Sequence, residues 1–106
     1  MTQFITMNDL HEKLSSLGSK DLILDVRTPQ EFASGRVPGS KNIPFNEVEQ
    51  HQKTLRDYDR IYIYCQAGVR AQTAAAMLEK LGFTDLFCVS SAGMGQWIGS
   101  GYSVEK

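Results

Sequence analysis

The 106-residue chain lacks most of the features that mark secreted, membrane-bound or nucleic-acid-binding proteins. It has only two cysteines, too few for the disulfide framework that stabilises many small secreted domains. No apolar run approaches the roughly 20 residues needed to cross a bilayer, and the start lacks the basic and apolar regions of a signal peptide. The net charge is −1, with scattered lysines and arginines, so we expect neither a nucleic-acid nor a membrane partner. These absences predict a reduced, cytoplasmic protein.

The composition that remains is typical of a globular domain, with 42% hydrophobic and 22% charged residues. This length accommodates one compact domain, and the chain contains no internal repeat, low-complexity tract or linker. We therefore expect a single domain over residues 1–106.

Short apolar runs alternate with helical patterns along the chain. The apolar runs predict strands at residues 22–26, 41–44, 61–64 and 86–89, with Pro44 confining the second of them to a sheet edge. Helices are predicted in five segments. The first is capped by Thr6 and ends at Gly18, and the second begins with the capping box Thr28-Pro29-Gln30-Glu31. The third is capped by Asn46, the fourth covers residues 71–81, and a short fifth helix contains Trp97. Alternating strands and helices predict an α/β fold with a parallel sheet covered on both faces.

Residues 62–71 carry the strongest chemical signal. Cys65 ends an apolar strand, a proline-free loop of Gln66, Ala67, Gly68, Val69 and Arg70 follows, and an alanine-rich helix comes next. Ligands of parallel sheets bind beyond the carboxyl ends of the strands, and the amino end of a helix favours negative charge. Gly68 can supply a positive φ. The pattern predicts a cradle of backbone N–H groups for an anion attached to, or attacked by, Cys65, and it favours the thiolate form.

Other reactive residue types have simpler structural interpretations. A lone cysteine is most often a small buried hydrophobe; this applies to Cys88, whereas the loop and arginine beside Cys65 favour a nucleophile. Asp25 lies at the carboxyl end of a predicted strand, close to Arg27, and the two residues favour a structural ion pair over a chemical role. Glu31 is predicted as a capping residue rather than an acid catalyst. The two histidines have no partners at metal-ligand spacing, so we expect no metal site.

Three motifs, in order, resemble the rhodanese family of sulfurtransferases over nearly the whole chain. Residues 24–32, LDVRTPQEF, resemble the first signature of the family, which residues 35–40, GRVPGS, continue; residues 65–70, CQAGVR, resemble its active-site loop; and residues 89–97 resemble its closing segment. The resemblance implies a rhodanese-like α/β fold of about five parallel strands with helices on both faces. Ala71 stands where the family commonly has serine or threonine, which removes one hydroxyl beside the loop.

The resemblance also implies a chemistry. Cys65 would take sulfane sulfur from thiosulfate or a persulfide or polysulfide donor, hold it as a persulfide, and pass it to cyanide in an assay or to thiols in a cell. The loop Gln66, Ala67, Gly68, Val69 and Arg70 would bind substrate and persulfide, with Asp25 and Arg27 as possible site support. Arg70 would bind either the donor or the carbonyls of its own loop. No cofactor is implied; the partners would be small sulfur donors, thiol acceptors and a sulfur-relay protein.

Two alternative functions accompany the sulfurtransferase hypothesis. A phosphatase or arsenate reductase on the same fold also uses a cysteine and an arginine around a loop, but related phosphatases have one more residue between them than the four present here. A persulfide carrier or sulfur-sensing module without turnover is the second alternative. Many domains that only bind partners have lost the cysteine, whereas Cys65 is present here.

Overall fold

The computed structural model describes residues 2–106, which form one five-stranded sheet with helices packed against it. The strands are β1 (Thr2–Ile5), β2 (Asp21–Asp25), β3 (Lys41–Asn42), β4 (Arg60–Tyr64) and β5 (Leu86–Val89). Their order is β1-β5-β4-β2-β3, and every neighbouring pair is parallel. The strand before Cys65, β4, is therefore central. The predicted fold class, an α/β domain with a five-stranded parallel sheet, is confirmed.

Within residues 2–106, four α-helices connect the strands and a fifth follows β5: α1 (Met7–Lys13), α2 (Pro29–Ser34), α3 (Gln52–Leu55), α4 (Val69–Lys80) and α5 (Met94–Gly99). Alternate residues of the central strands enter two separate apolar clusters. Leu24 and Ile63 pack with the buried alanines of α4 on one face. Ile23 and Tyr62 pack with residues of α1 and α5 on the other. Helices therefore cover both faces, as predicted.

The helix starts follow from local capping. Thr28 accepts a hydrogen bond from the Glu31 N–H while the Glu31 carboxylate accepts one from the Thr28 N–H, with Pro29 as the first residue of α2. Gly35, at φ 152°, follows the end of the helix. Thr6 and Asp9 form a second capping box at the start of α1. Each box satisfies donors that the first helical turn leaves without a partner.

Several details differ from the sequence prediction. The strand expected at 22–26 lies at Asp21–Asp25, and the edge strand expected at 41–44 covers only Lys41–Asn42. β1 was not predicted, because four residues of which only two are partly buried give a weak strand signal. Regular α1 ends at Lys13 and a 3-10 turn over Leu14–Ser16 replaces its expected last turn. The prediction of a helix capped by Asn46 is wrong: that residue lies inside a 3-10 turn, Phe45–Glu47, and α3 begins later. The helix expected at 71–81 begins earlier, at Val69.

Among residues 2–106, no helix combines the length and the apolar character that crossing a membrane would require.

Candidate active site

Cys65 lies directly after β4, at the carboxyl edge of the sheet, and only 1% of it is exposed. The Gly68 N–H donates to its Sγ at 3.0 Å and the Ala71 N–H at 3.4 Å. Both donors belong to the junction between the loop and the first turn of α4, whose dipole also favours negative charge at this point. The sulfur therefore occupies a small anion-binding cradle at a helix amino end.

The predicted cradle of backbone N–H groups is formed by only part of the loop. In the part of the chain that the structure describes, the backbone donors to Sγ are Gly68, within the loop, and Ala71, one residue beyond it. Gln66, Ala67 and Val69 are exposed, with Val69 exposed by 73%. The loop thus presents an open outer surface above a buried sulfur.

Two glycines allow the loop to contact the closing segment of the chain. A Cβ on Gly68 would lie 2.1 Å from the Ser90 carbonyl oxygen, and Gly68 also has φ 109°, a conformation that favours glycine. A Cβ on Gly93 would lie 2.0 Å from the Cys65 carbonyl oxygen, which also accepts a hydrogen bond from the Met94 N–H at 2.9 Å. Gly93 is extended backbone that any residue could adopt, so its requirement is purely the close contact.

Asp25 and Arg27 form a buried ion pair at the carboxyl end of β2, the neighbour of β4. The Arg27 Nη2 donates to Asp25 Oδ2 at 2.7 Å and also to the Gly35 carbonyl at 2.7 Å. Its Nη1 lies 3.3 Å from Gln66 Oε1, which connects the pair to the residue after Cys65. Although burial alone lowers the pKa of Arg27, its hydrogen bond and charge interaction with Asp25 raise it. The guanidinium is therefore a permanently charged support for the loop.

Tyr64, the last residue of β4, extends this polar network. Its hydroxyl donates to Asp25 Oδ2 at 2.7 Å and accepts from the Val37 N–H at 3.1 Å, with Ser40 Oγ at 3.3 Å. Burial, followed by the Asp25 charge, raises the pKa of Tyr64. The hydroxyl therefore remains a donor at neutral pH. Tyr64 therefore belongs both to the apolar core and to this polar network.

Arg70 forms an ion pair with a carboxylate of α2, a partner that the sequence did not predict. Its Nη1 donates to Glu31 Oε1 at 2.7 Å and its Nη2 to Glu31 Oε2 at 3.1 Å. The Arg70 hydrogen bond lowers the pKa of Glu31 to about 2, and the same bond raises the pKa of Arg70. Glu31 is thus a capping residue, as predicted, and also the partner of the loop arginine. The sequence contains no local signal for this pair because 39 positions separate the two residues.

Cys88 and two aromatic side chains of the core lie in packed surroundings. Cys88 is fully buried in β5, and burial raises the pKa of its thiol to about 12. Tyr62 stacks on Phe87 with ring centroids 4.7 Å apart. Trp97 is buried in α5 and donates from its indole N–H to the Ser103 carbonyl at 2.8 Å. Within residues 2–106, no group of three histidine, cysteine or carboxylate side chains is arranged to hold a metal ion.

Comparisons with known proteins identify the family of this chain. The family model described as the rhodanese-like domain matches residues 6–100. Thiosulfate sulfurtransferase PspE of Escherichia coli is 33% identical over 63 residues, which cover 58% of this chain and 61% of PspE. Bacillus subtilis YrkF, whose name designates a candidate sulfur carrier protein, is 37% identical over 95 residues, which cover 90% of this chain and 50% of YrkF.

A crystal structure of a rhodanese-related protein from Thermoplasma volcanium has 33% sequence identity and a TM-score of 0.82, with 97% of each chain covered. The chain spans between half and about three-fifths of the two curated relatives. The resemblance seen in the sequence motifs is confirmed along most of the chain. This chain belongs to the rhodanese-like domain family.

Proposed function

We propose that this chain is a sulfurtransferase in which Cys65 accepts a sulfane sulfur and passes it to a thiophilic acceptor. The observation that carries the proposal is the buried Cys65 sulfur under the amino end of α4, with two backbone donors on it. The membership of the rhodanese-like family and the sulfur-related names of its relatives support the same chemistry.

The transfer proceeds in two displacement steps. The Cys65 thiolate attacks the outer sulfur of thiosulfate, the sulfur–sulfur bond breaks, and sulfite leaves with the bonding electron pair, so that Cys65 carries an anionic persulfide. A second nucleophile then attacks the terminal sulfur and the Cys65 thiolate is regenerated. Cyanide gives thiocyanate and a thiolate gives a new persulfide. Charge and atoms balance in both steps without a cofactor.

The backbone donors stabilise the anionic sulfur through both steps. The Gly68 and Ala71 N–H groups are fixed by the start of α4, so they need no reorganisation when charge moves along the sulfur chain. A persulfide adds one sulfur atom to the buried Sγ, and the neighbouring residues Gln66, Ala67 and Val69 form an exposed outer surface. This surface is open to a small thiol or to a cysteine on a sulfur-relay protein, the acceptors that we propose for a cytoplasmic setting.

The paired state of Arg70 favours sulfur transfer over phosphoryl or arsenate chemistry. A phosphatase of this loop type uses its arginine for the oxygens of the transferred group, whereas the Glu31 carboxylate offsets the charge of Arg70 and occupies one N–H of each terminal nitrogen. The persulfide, by contrast, needs only the backbone donors. Aryl phosphates should therefore be poor substrates.

The test is intact-protein mass spectrometry after incubation with thiosulfate or a small hydropersulfide, followed by a thiocyanate assay with cyanide. We expect one added sulfur atom on the natural protein, none on Cys65→Ser, and normal loading on Cys88→Ser, the matched control. Repeated turnover would establish a sulfurtransferase, whereas stoichiometric loading with release only to a protein partner would favour the carrier that the name of YrkF suggests. Robust aryl phosphate hydrolysis that is lost in Cys65→Ser would contradict the proposal.

A further inference from the structure

The charge on the loop arginine is neutralised at short range. Arg70 and Glu31 form a two-pronged pair, with N–O distances of 2.7 and 3.1 Å, and both side chains lie at the rim of the site, where they are partly exposed. This geometry matches the planar fork of a guanidinium to the two oxygens of a carboxylate. An anionic donor arriving at the loop therefore meets a neutral pair rather than a free cation.

Hydrogen bonds from Thr28 fix the carboxylate of Glu31 in position. Glu31 Oε1 also accepts from the Thr28 N–H at 3.0 Å and from the Thr28 hydroxyl at 3.2 Å, as part of the capping box of α2. The low pKa of Glu31, about 2, means that the group is ionised throughout the physiological range. Displacing Glu31 from Arg70 would thus break a contact that the start of a helix fixes in place.

The second arginine near the loop is compensated in the same way. Arg27, which contacts Gln66, pairs with the buried carboxylate of Asp25. Each of the two arginines therefore has its own carboxylate, and the cradle attracts an anion through backbone dipoles rather than through net positive charge. Dipoles of this kind stabilise one negative charge at the sulfur, but they add little attraction for a dianion still outside the site.

We propose that Glu31 is a specificity-determining residue which, by neutralising Arg70, favours hydropersulfide donors of low charge over the thiosulfate dianion. This inference rests on the proposed sulfur transfer at Cys65. With a hydropersulfide, the Cys65 thiolate attacks the outer sulfur, the sulfur–sulfur bond breaks, and a thiolate leaves while the transferred sulfur keeps its proton. The bond changes match those with thiosulfate, so the two donors differ mainly in the charge that approaches the Glu31–Arg70 pair.

The test compares two donors on two variants. The donors are thiosulfate and the hydropersulfide of N-acetylcysteine methyl ester, and the quantity measured is the ratio of their kcat/KM values for loading Cys65. Glu31→Gln removes the charge but retains a residue that is accepted at this position of a capping box. Asp9→Asn is the matched control because Asp9 has the same capping role in α1, where its carboxylate accepts from Thr6 rather than from an arginine.

We expect Glu31→Gln to raise the ratio of thiosulfate to hydropersulfide kcat/KM roughly tenfold, equivalent to about 1.4 kcal/mol of differential transition-state stabilisation. Asp9→Asn should leave the ratio within about twofold of the natural protein, since its charge lies in a different helix and screening reduces distant effects. An unchanged ratio in Glu31→Gln, or an equal rise in both variants, would overturn the inference while leaving sulfur transfer itself intact. Failure of the natural protein to load sulfur from either donor would instead overturn the proposed function, and this inference with it.

A second measurement needs no variant. If Arg70 is compensated, thiosulfate kcat/KM of the natural protein should change little between low and physiological ionic strength, because a neutral pair gives little long-range steering. A steep fall with added salt would show that an uncompensated cation attracts the donor, and would overturn the inference even if Glu31→Gln did not fold.

Discussion

The two ends of β2 offer a direct test of how much the buried ion pair contributes to stability. Asp25, the last residue of the strand, is fully buried and accepts hydrogen bonds from the Arg27 side chain and the Tyr64 hydroxyl. Asn in its place conserves the size of the side chain but leaves the guanidinium of Arg27, which is 3% exposed, without its counter-charge. Breaking a buried pair in this way costs about 3–5 kcal/mol, because an uncompensated charge stays in the protein interior.

Asp21, the first residue of β2, is the control. It pairs with Arg60 at 3.0 Å, but the Arg60 side chain is 56% exposed, so water can replace the lost partner. Asp21→Asn should therefore cost about 0–1 kcal/mol. Both substitutions remove one negative charge from the same strand, which cancels any effect of net charge on the comparison.

Urea denaturation with a far-ultraviolet circular dichroism readout measures both costs. For a total stability of about 5–15 kcal/mol, Asp25→Asn should lower the urea midpoint by about 1.5–3 M at an m-value near 1.5–2 kcal/mol/M, whereas Asp21→Asn should shift it by less than about 0.7 M. The reasoning is refuted if the two variants have the same midpoint, or if Asp25→Asn loses less than about 1 kcal/mol. Either result would mean that Arg27 finds a new partner or that water reaches it.

The remaining predictions concern the loop and its neighbours. Gly93→Ala should lower the free energy of unfolding by about 1–3 kcal/mol and slow sulfur loading of Cys65, because the added methyl group would lie 2.0 Å from the Cys65 carbonyl oxygen and displace it. Gly99→Ala is the control: no atom lies within 4 Å of its Cβ, so the change should be neutral or stabilising by up to about 1 kcal/mol. Equal stability of the two variants would contradict the close contact at Gly93. The pKa of Glu31 is about 2 in the folded protein and 4.5 ordinarily, so its ionised form stabilises the fold fully above pH 4.5, and this stabilisation is lost as the pH falls towards about 2. Glu31→Gln should lack this part of the acid dependence of the free energy of unfolding. Identical acid profiles of the variant and the natural protein would argue against the Glu31–Arg70 pair. Arg70→Ala should reduce thiosulfate kcat/KM roughly tenfold by leaving the Glu31 charge uncompensated. Adding Glu31→Gln should restore much of this loss, and a double variant that remains as slow as Arg70→Ala would show that the Glu31 charge is not its cause.

The sequence predicted those parts of the fold that depend on neighbours along the chain. The capping box from Thr28 to Glu31 and the glycine that follows α2 lie within eight residues, so pattern and structure agree. The same holds for the order of strand, Cys65, loop and helix. β1 was missed because its stability comes from pairing with β5, in which Thr2 lies opposite Leu86 at the far end of the chain. Asn46 was misassigned because a good capping residue is equally compatible with a turn.

The candidate site was predictable as a set of residues but only partly as a set of contacts. The position of Cys65 followed from the rule that parallel strands present ligands at their carboxyl ends. The partner of Arg70 did not follow from any local pattern, because Glu31 already had a sufficient explanation as a cap. That side chain has two carboxylate oxygens, and Oε1 serves both the capping box and Arg70. A residue with one evident structural role can therefore hold a second role that only the assembled fold brings into contact.

Gly93 shows the limit of sequence reasoning most clearly. Its backbone is extended, so nothing about its conformation requires glycine. The requirement comes from the Cys65 carbonyl, which occupies the space where a Cβ would be, and from the Met94 N–H that bonds to the same oxygen. The carbonyl and amide of that bond are common to almost every residue type, so side-chain patterns cannot encode it. The loop that holds the sulfur is therefore positioned from two sides: by Arg27, just after β2, through Gln66, and by backbone contact with the start of α5.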